Sequence, residues 1–410
     1  MALNYLWIAF FLVAFFAALG KLIFFQDYEV FQKIVTGTFD SAKTGAEISI
    51  GLVGLMTFWL GIMKVGEKGG MINIFAKAVG PFFAKLFPEI PRNHPAYGSI
   101  LMNFSANMLG LDNAATPLGL KAMKELQELN PDKETASNAQ IMFLVLNASS
   151  LTLLPISIMN YRDQMGAADP SDVFIPILLA TFFSTITGLV VTALYQKINL
   201  FNKVVLAYLG SLVVVVGGAL IYFSQLPPEK ISIITKVVSN VILFGIIIAF
   251  ISLALFRKVN VFESFIEGAK EGFEVAIKII PYLVGILVAV GVLRNSGALD
   301  YIMQGISALI ALTGMNTDFV PALPVALMKP LSGSGARGLM VELMQNTGAD
   351  NFASRVACVI QGSTETTFYV LAVYFGSVAI KKSRHAVPAA LLAELAGVIA
   401  AIVIAYIFFH

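Results

Sequence analysis

The sequence predicts an all-α, polytopic membrane protein built from two inverted structural repeats, with re-entrant or broken helices and interfacial amphipathic helices. Three observations carry that prediction. The first is composition: 58% of the 410 residues are apolar and only 13% charged, with a mean hydropathy of +0.82, where a soluble domain is about half apolar and about a quarter charged. The second is a series of apolar runs long enough to cross a hydrocarbon core of about 30 Å. The third is repetition. Ala42-Lys43-Thr44-Gly45-Ala46-Glu47 returns as Ala269-Lys270-Glu271-Gly272-Phe273-Glu274, 227 positions on, and Asn147-Ala148-Ser149-Ser150-Leu151-Thr152 returns as Gln361-Gly362-Ser363-Thr364-Glu365-Thr366, 214 positions on. Duplication on this scale is a transporter habit.

Taken in order, residues 3–25 form a first span. The N-terminus lacks a basic n-region and a convincing small-residue cleavage site, so this run is expected to be retained. Residues 48–63 are a shorter span continuing a charged helix, and 71–87 alternate Ile, Phe and Val with lysines as an interfacial helix does. Residues 102–119 are semi-polar and glycine-rich, which suits a re-entrant hairpin, because irregular backbone at membrane depth survives only inside protein. Residues 173–195, 204–223 and 237–256 are charge-free spans, with hinges at 196–203 and 225–230. The second half then repeats the plan: a short span at 279–293, an amphipathic segment at 299–312, a polar segment at 329–338 and a closing span at 387–409 holding Glu394. The change of offset gives the first half about thirteen extra residues, expected around 111–117. The resulting organisation is a first repeat at 1–200, a connecting span at 201–230 and a second repeat at 231–410. Lys381, Lys382 and Arg384 precede the last span, whereas the matching loop at 160–172 sets Arg162 against three aspartates. With Lys197, Lys203, Arg257 and Lys258 read as cytoplasmic, the halves are oppositely oriented.

Several function classes fall away. A net charge of +2 without basic tracts gives no nucleic-acid partner, the single Cys358 allows no intrachain disulfide, and three histidines leave little for a metal centre. No nucleophile elbow, HExxH or P-loop spacing occurs, and no carboxylate pair is clustered for acid–base work, so neither an enzyme nor a cofactor is expected.

Candidate binding residues are the polar groups inside apolar surroundings. Gln361, Ser363, Thr364, Glu365 and Thr366 form the densest run, and Glu365, the one carboxylate in it, could bind a ligand or couple to an ion or proton. The alternative is hydroxyls bonded to helix carbonyls, with Glu365 paired to Lys329 or Arg355. Asn147, Ser149, Ser150 and Thr152 occupy the equivalent place, with Leu151 where the second half has Glu365. They form either the other wall of one midplane site or interhelical hydrogen bonds. Asn103 and Asn107 precede a break at Gly110, where amides and an aspartate can bind a polar solute or a small cation through oxygen ligands, or Asp112 or Asn113 caps the next helix. Ser332 and Ser334, between Lys329 and Arg337, could build an anion nest. Alternatively they mark glycine packing, with Arg337 paired to Glu342 or Glu365. Glu47 and Glu274 are expected in pairs with Lys43 and Lys270. Glu394 is either a relay or a cap on a neighbouring broken helix, and His94 is a loop residue.

The motifs at 39–47, 101–123 and 147–152 resemble spore maturation protein A, and those at 267–281, 328–336 and 361–377 resemble spore maturation protein B, together spanning nearly the whole chain like a natural fusion. That family is grouped with the nucleoside-recognition, or gate, domain also found in concentrative nucleoside transporters and in ferrous iron transport protein B. Thr364 and Glu365 are similar to the Gln-Thr-Glu run by which nucleoside transporters hold ligand. The resemblance implies an inner-membrane protein, embedded in membrane lipid, that binds or translocates a small polar solute at the repeat interface, a nucleoside-like solute being one candidate. The other reading is a non-transporting scaffold or sensor supporting envelope or spore-type maturation. A homo-oligomer is compatible with both.

Overall fold

The computed structural model describes residues 2–91, 93–110, 112–149 and 151–410, without the side chains of residues 2–4, 6, 112–114 and 228. Among the described residues the fold is helical throughout. Its only β pairing is an isolated bridge between Thr135 and Lys382. Eight stretches are long and apolar enough to cross a bilayer. The first half runs α1 (Ala2–Phe25), α2 (Val30–Lys68), α3 (Met71–Leu86), a hairpin of α4 (Pro95–Met108) and α5 (Asp112–Leu129), then α6 (Asn138–Ser149), α7 (Ile156–Gln164) and α8 (Phe174–Gln196). A linking helix, α9 (Lys203–Ser224), follows. The second half runs α10 (Pro228–Phe256), α11 (Val261–Asn295), α12 (Ala298–Ala311), a 3₁₀ turn at Val320–Ala322, a hairpin of α13 (Leu323–Met328) and α14 (Gly333–Thr347), then α15 (Phe352–Ser363), α16 (Thr367–Ser377) and α17 (Ala386–Phe409). Apart from α9 the order of elements recurs. The short spans expected at 48–63 and 279–293 are the inner parts of α2 and α11.

Residues 352–377 are apolar enough to cross a membrane even though α15 and α16 are separate helices. This stretch is a span broken near its middle, and the Ser-Thr-Glu-Thr run is the break. The extra residues of the first half are spread out as well. Its hairpin arms have 14 and 18 residues where the second half has a 3-residue turn with 6, and then 15. Its hairpin-to-broken-helix loop, 130–137, also outruns the matching 348–351.

The central packing is α2 against α11, the most extensive helix–helix contact in the molecule. They run antiparallel: Gly45 lies on Val284, Gly61 on Phe265, Leu60 on Gly268 and Met56 on Gly272. At Gly272 an added Cβ would stand 2.8 Å from both the Met56 carbonyl carbon and Thr57 Cα. Gly268 likewise abuts the Leu60 backbone, so Gly268 and Gly272 form the small-xxx-small stripe that lets membrane helices approach closely. The equivalent closing spans, α8 and α17, are also antiparallel, with Gly188 on Ala393 and Ser184 on Gly397. In contrast, α1, α9 and α10 leave Leu12, Phe16, Val214, Val241 and Phe244 exposed, as lipid-facing helices do.

Two loop clasps tie the halves together. In one, Arg162, with no exposed surface, ion-pairs Asp172 (2.8 Å) and Asp350 (3.0 Å) and donates to the Ala349 carbonyl (2.7 Å). Arg355 joins Asp172 at 2.8 Å. In the other, Lys381 N–H and Lys382 N–H donate to the Glu134 carbonyl, Lys381 pairs with Glu134 at 2.6 Å, and Arg384 donates to the Ala136 carbonyl. Each clasp joins the hairpin-to-broken-helix loop of one half to the loop before the closing span of the other. Exposed pairs elsewhere are local: Lys43 meets Glu47 at 3.8 Å, while Glu274 takes Lys278 (3.7 Å) rather than Lys270, the favourable Glu-to-Lys order.

Two stability changes follow, both measurable as thermal unfolding in detergent. Arg162→Ala removes the fully buried cation of its clasp, leaving Asp172 and Asp350 to Arg355 alone, and is expected to cost about 1.5–3 kcal/mol, whereas Lys43→Ala shifts nothing measurable. Gly272→Leu is expected to cost about 1–3 kcal/mol or more by overpacking, whereas Gly54→Leu, with open space around it, is tolerated.

Candidate functional site

The α6–α7 and α15–α16 breaks meet inside the bundle. The polypeptide leaves α15 at Ser363 and re-enters helix at Thr367, with Thr364 fully extended. In apolar surroundings every freed backbone group needs an internal partner, and the structure supplies them across the halves. Glu365 N–H donates to the Ala148 carbonyl of α6 at 2.9 Å, linking one break to the other. Each hairpin turn secures the break of its own half. Leu153 N–H donates to the Met108 carbonyl at 2.8 Å, and Phe368 N–H to the Pro330 carbonyl at 3.0 Å. Lys329 Nζ donates to the Gln361 carbonyl at 2.8 Å, neutralising part of the negative end of α15. Gly110, at φ +70° in the first hairpin turn, brings that turn within reach of the Leu154 carbonyl, which a Cβ would meet at 2.9 Å.

Between these breaks and the α2–α11 pair lies a cavity of about 410 Å³, within the range of small-molecule sites. Asn107, Thr152, Gln361, Thr364 and Glu365 line it, with Glu365 the exposed member of its run. The opposite wall is α2 and α11, contributing Lys64, Glu67 and Glu271. Lys64 pairs with Glu67 (3.3 Å), Glu271 (3.3 Å) and Glu267 (3.7 Å), and Lys68 also pairs with Glu267. Lys329 and Arg337 add two cations, the latter 5.7 Å from the Tyr161 ring centre. Three carboxylates and three cations therefore face the space, which suits a neutral or zwitterionic solute. Its apolar wall is aliphatic and thioether, from Met56, Leu60, Met63, Ile156 and Val275.

The other candidate residues hold the frame. Asn107 Nδ2 donates to Asn147 Oδ1 (2.6 Å), Asn147 Nδ2 to the Phe143 carbonyl (2.8 Å), and Asn103 Nδ2 to the Ala115 carbonyl (2.8 Å). Tyr374 Oη bridges Asn103 and Asn147, so these amides join the first hairpin to α6 and α16. Ser149 and Ser363 hydroxyls turn back to helix carbonyls of Leu146 and Ile360. Ser332 caps α14 through Gly335 N–H (3.0 Å), and its hydroxyl lies 3.2 Å from that of Ser334. Thr366 is the residue before α16 and is buried. Ser150 lies outside the described residues. Arg355 serves the loop clasp, and Glu342 is held by Arg294 (2.9 Å from Nη2). His94 caps α4.

Two features were not singled out from sequence. Lys64, Glu67 and Glu271 line the cavity, and the only signal for them was charge persisting inside the apolar helices α2 and α11. The second is a set of buried oxygens without hydrogen-bond partners around the second break: Gln361 Oε1, Thr364 Oγ1, Ser184 Oγ and Glu394 Oε1.

Comparison with known proteins supplies the relationship. Residues 49–165 and 276–381, more than half of the chain, match the family described as Gate, nucleoside recognition. Spore maturation protein A of Bacillus subtilis (strain 168) is 41% identical over 170 residues, 42% of this chain and 87% of the relative. Spore maturation protein B of the same organism is 45% identical over 180 residues, 44% of this chain and 94% of the relative. No solved structure matches. The eight apolar stretches and these relatives make the chain a multi-pass membrane protein. It belongs to the nucleoside-recognition (Gate) family, in a form consistent with a fusion of counterparts of spore maturation proteins A and B.

Proposed function

We propose that the chain is a transporter-like protein of the cytoplasmic membrane that takes a small polar solute into the cavity between its two broken helices and releases it by alternating access. The observation that carries this reading is Glu365: an acidic side chain exposed to an internal cavity, at the break of a membrane-length stretch. Polar side chains at such depth face a solute path or a partner. Broken helices present unpaired helix ends to a solute. Glu365 is the principal ligand, with Gln361, Thr364, Thr152 and Asn107 around it.

The balanced charge of the cavity favours an uncharged, hydrogen-bonding solute, and a nucleoside-like molecule fits both that property and the family description. The aliphatic and methionine wall would hold a base by its faces through dispersion contacts. An inverted arrangement of residues 1–200 and 231–410, with 201–230 linking them, is supported by the recurring element order and by the antiparallel pairing of the equivalent helices α2 and α11. The exposed apolar faces of α1, α9 and α10 are for lipid or a further copy of the chain.

The names of the relatives support a second reading, in which the same cavity serves a sensor or scaffold in spore-type maturation. Flux separates the two. In proteoliposomes, labelled nucleosides should enter saturably, and Glu365→Gln should lower uptake at least about tenfold, the loss of one charge-assisted hydrogen bond. Absence of flux for nucleosides and for other neutral or zwitterionic solutes, with binding retained, would leave the sensor reading.

A further inference from the structure

The two longest helices, α2 and α11, carry charges where the bilayer must cross them. A hydrocarbon core of about 30 Å takes about 20 residues of helix. Residues 48–63 of α2 are apolar, but Met56 lies on Gly272 and Leu60 on Gly268, which sets that run beside Glu267, Lys270 and Glu274 of α11. Likewise Gly45 lies on Val284 and Ser41 on Gly291, so the apolar run 279–293 of α11 stands beside Asp40, Lys43 and Glu47. A slab of that thickness cannot take in either apolar run without the charges of the other helix. Lys43 and Glu47 are 77% and 63% exposed, and Glu274 and Lys278 are 68% and 76% exposed. Each ion pair is internal to its helix, yet it stands on the outer surface at membrane depth, where charged side chains almost always face protein or water rather than lipid.

These charges form two edges. At about 100° per residue, Lys43 and Glu47 fall on the side of α2 away from Gly45 and Met56, and Glu274 and Lys278 on the side of α11 away from Gly268 and Gly272. The helix pair therefore presents a charged edge on each flank, and the two edges point in opposite directions. Their depths interlock. Lys278 and Glu274 fall between Val284, which is level with Gly45, and Gly272, which is level with Met56. From the Lys43 end the order is Lys43, Glu47, Lys278, Glu274, alternating in sign. Glu47 and Lys278 differ in depth by less than one turn of helix, about 5 Å.

We propose that further copies of this chain cover the two edges: α2 of one copy packs on α11 of the next at the same depth, with Glu47 reaching Lys278 of the next copy, in a closed ring. Copies inserted the same way round share one depth, so the alternating order becomes a ladder of opposite charges across the junction. A two-fold axis normal to the membrane would instead set an edge on itself, Lys43 against Lys43 and Glu47 against Glu47. Edges that point in opposite directions give a head-to-tail contact, and such a contact closes with at least three copies. Ile50 and Ile277, both exposed and level with each other, supply apolar surface beside the charges. Met56, Leu60 and Lys64 line the cavity from another side of α2, so each copy keeps its own. The ring is independent of the transport reading and would serve a sensor equally.

Cross-linking of the full-length protein in phospholipid vesicles tests the ring. Ile50→Cys with Ile277→Cys in one chain leaves all four charges in place, and Cys358 is buried away from the reagent. A short bifunctional thiol reagent should give a ladder of multimers ending at the ring, while either substitution alone gives none. Photobleaching of a fluorescent terminal tag on the wild type, at low protein-to-lipid ratio, should show at least three steps per particle. Lys278→Glu should raise the dissociation constant of the assembly at least about tenfold, and adding Glu47→Lys should restore it, which damage to the fold would not. Should Lys278→Glu fail to fold, the cysteine pair and the wild-type step count decide. Single-step bleaching, the result for edges that face lipid, overturns the proposal. So do cross-linked dimers from one substitution alone, a double variant that does not cross-link, Lys278→Glu assembling like the wild type, or cross-links in cell membranes to a different protein.

Discussion

The hydrogen bond from Glu365 N–H to the Ala148 carbonyl is small in energy, about 0.5–1.5 kcal/mol for a typical bond, yet the rest of the structure depends on the constraint behind it. A helix interrupted inside hydrocarbon exposes backbone groups that water cannot reach, and each must find a partner within the protein. Bringing two breaks together lets each serve the other. Once they meet, the hairpin turns are drawn in to meet the remaining donors, at Leu153 and Phe368, and Lys329 is drawn to the Gln361 carbonyl. The cavity follows from this geometry, because chain that is not helical cannot pack flush against the α2–α11 pair.

The two clasps make the arrangement resistant to sliding apart. Arg162 is buried with two aspartates from different loops, while the opposite clasp is mostly backbone, through Glu134, Lys381 and Lys382. Both connect one half to the other, so hairpins, breaks and closing spans move as a unit more readily than they separate. The α2–α11 wall meets that unit through α7 and α14, with Asn160 Nδ2 on Met56 Sδ at 3.6 Å. The Lys64–Glu67–Glu271 network lies on the cavity side of that wall.

Much of the fold was legible because hydropathy and repetition are properties of the chain itself. The spans, the turn around Gly110 and the polar break at 364–366 follow from which residues tolerate lipid and which do not. The site was legible where polar residues sit in an apolar run, as at Gln361, Thr364 and Glu365. It was not legible where placement depends on rotation of a long helix: nothing local says that Lys64, Glu67 and Glu271 face inward while Lys43 and Glu47 face out. Nor could spacing foretell the Arg162–Asp350 pair, whose members are 188 residues apart. Glu394 shows the middle case. It meets the neighbouring broken helix through the Thr367 hydroxyl rather than a backbone N–H, and its surroundings depend on α8 and the break converging at Gly397.

The central claim is that the break at Glu365 opens onto an aqueous, solute-sized space within the membrane bundle. The chain has a single cysteine, Cys358, which is buried and serves as an internal reference. Introducing Glu365→Cys and measuring its modification by a membrane-impermeant thiol reagent tests the claim most directly. Rapid labelling is expected at position 365, while Cys358 stays unreacted in the folded protein. A cysteine at 365 that labels no faster than Cys358 would contradict it.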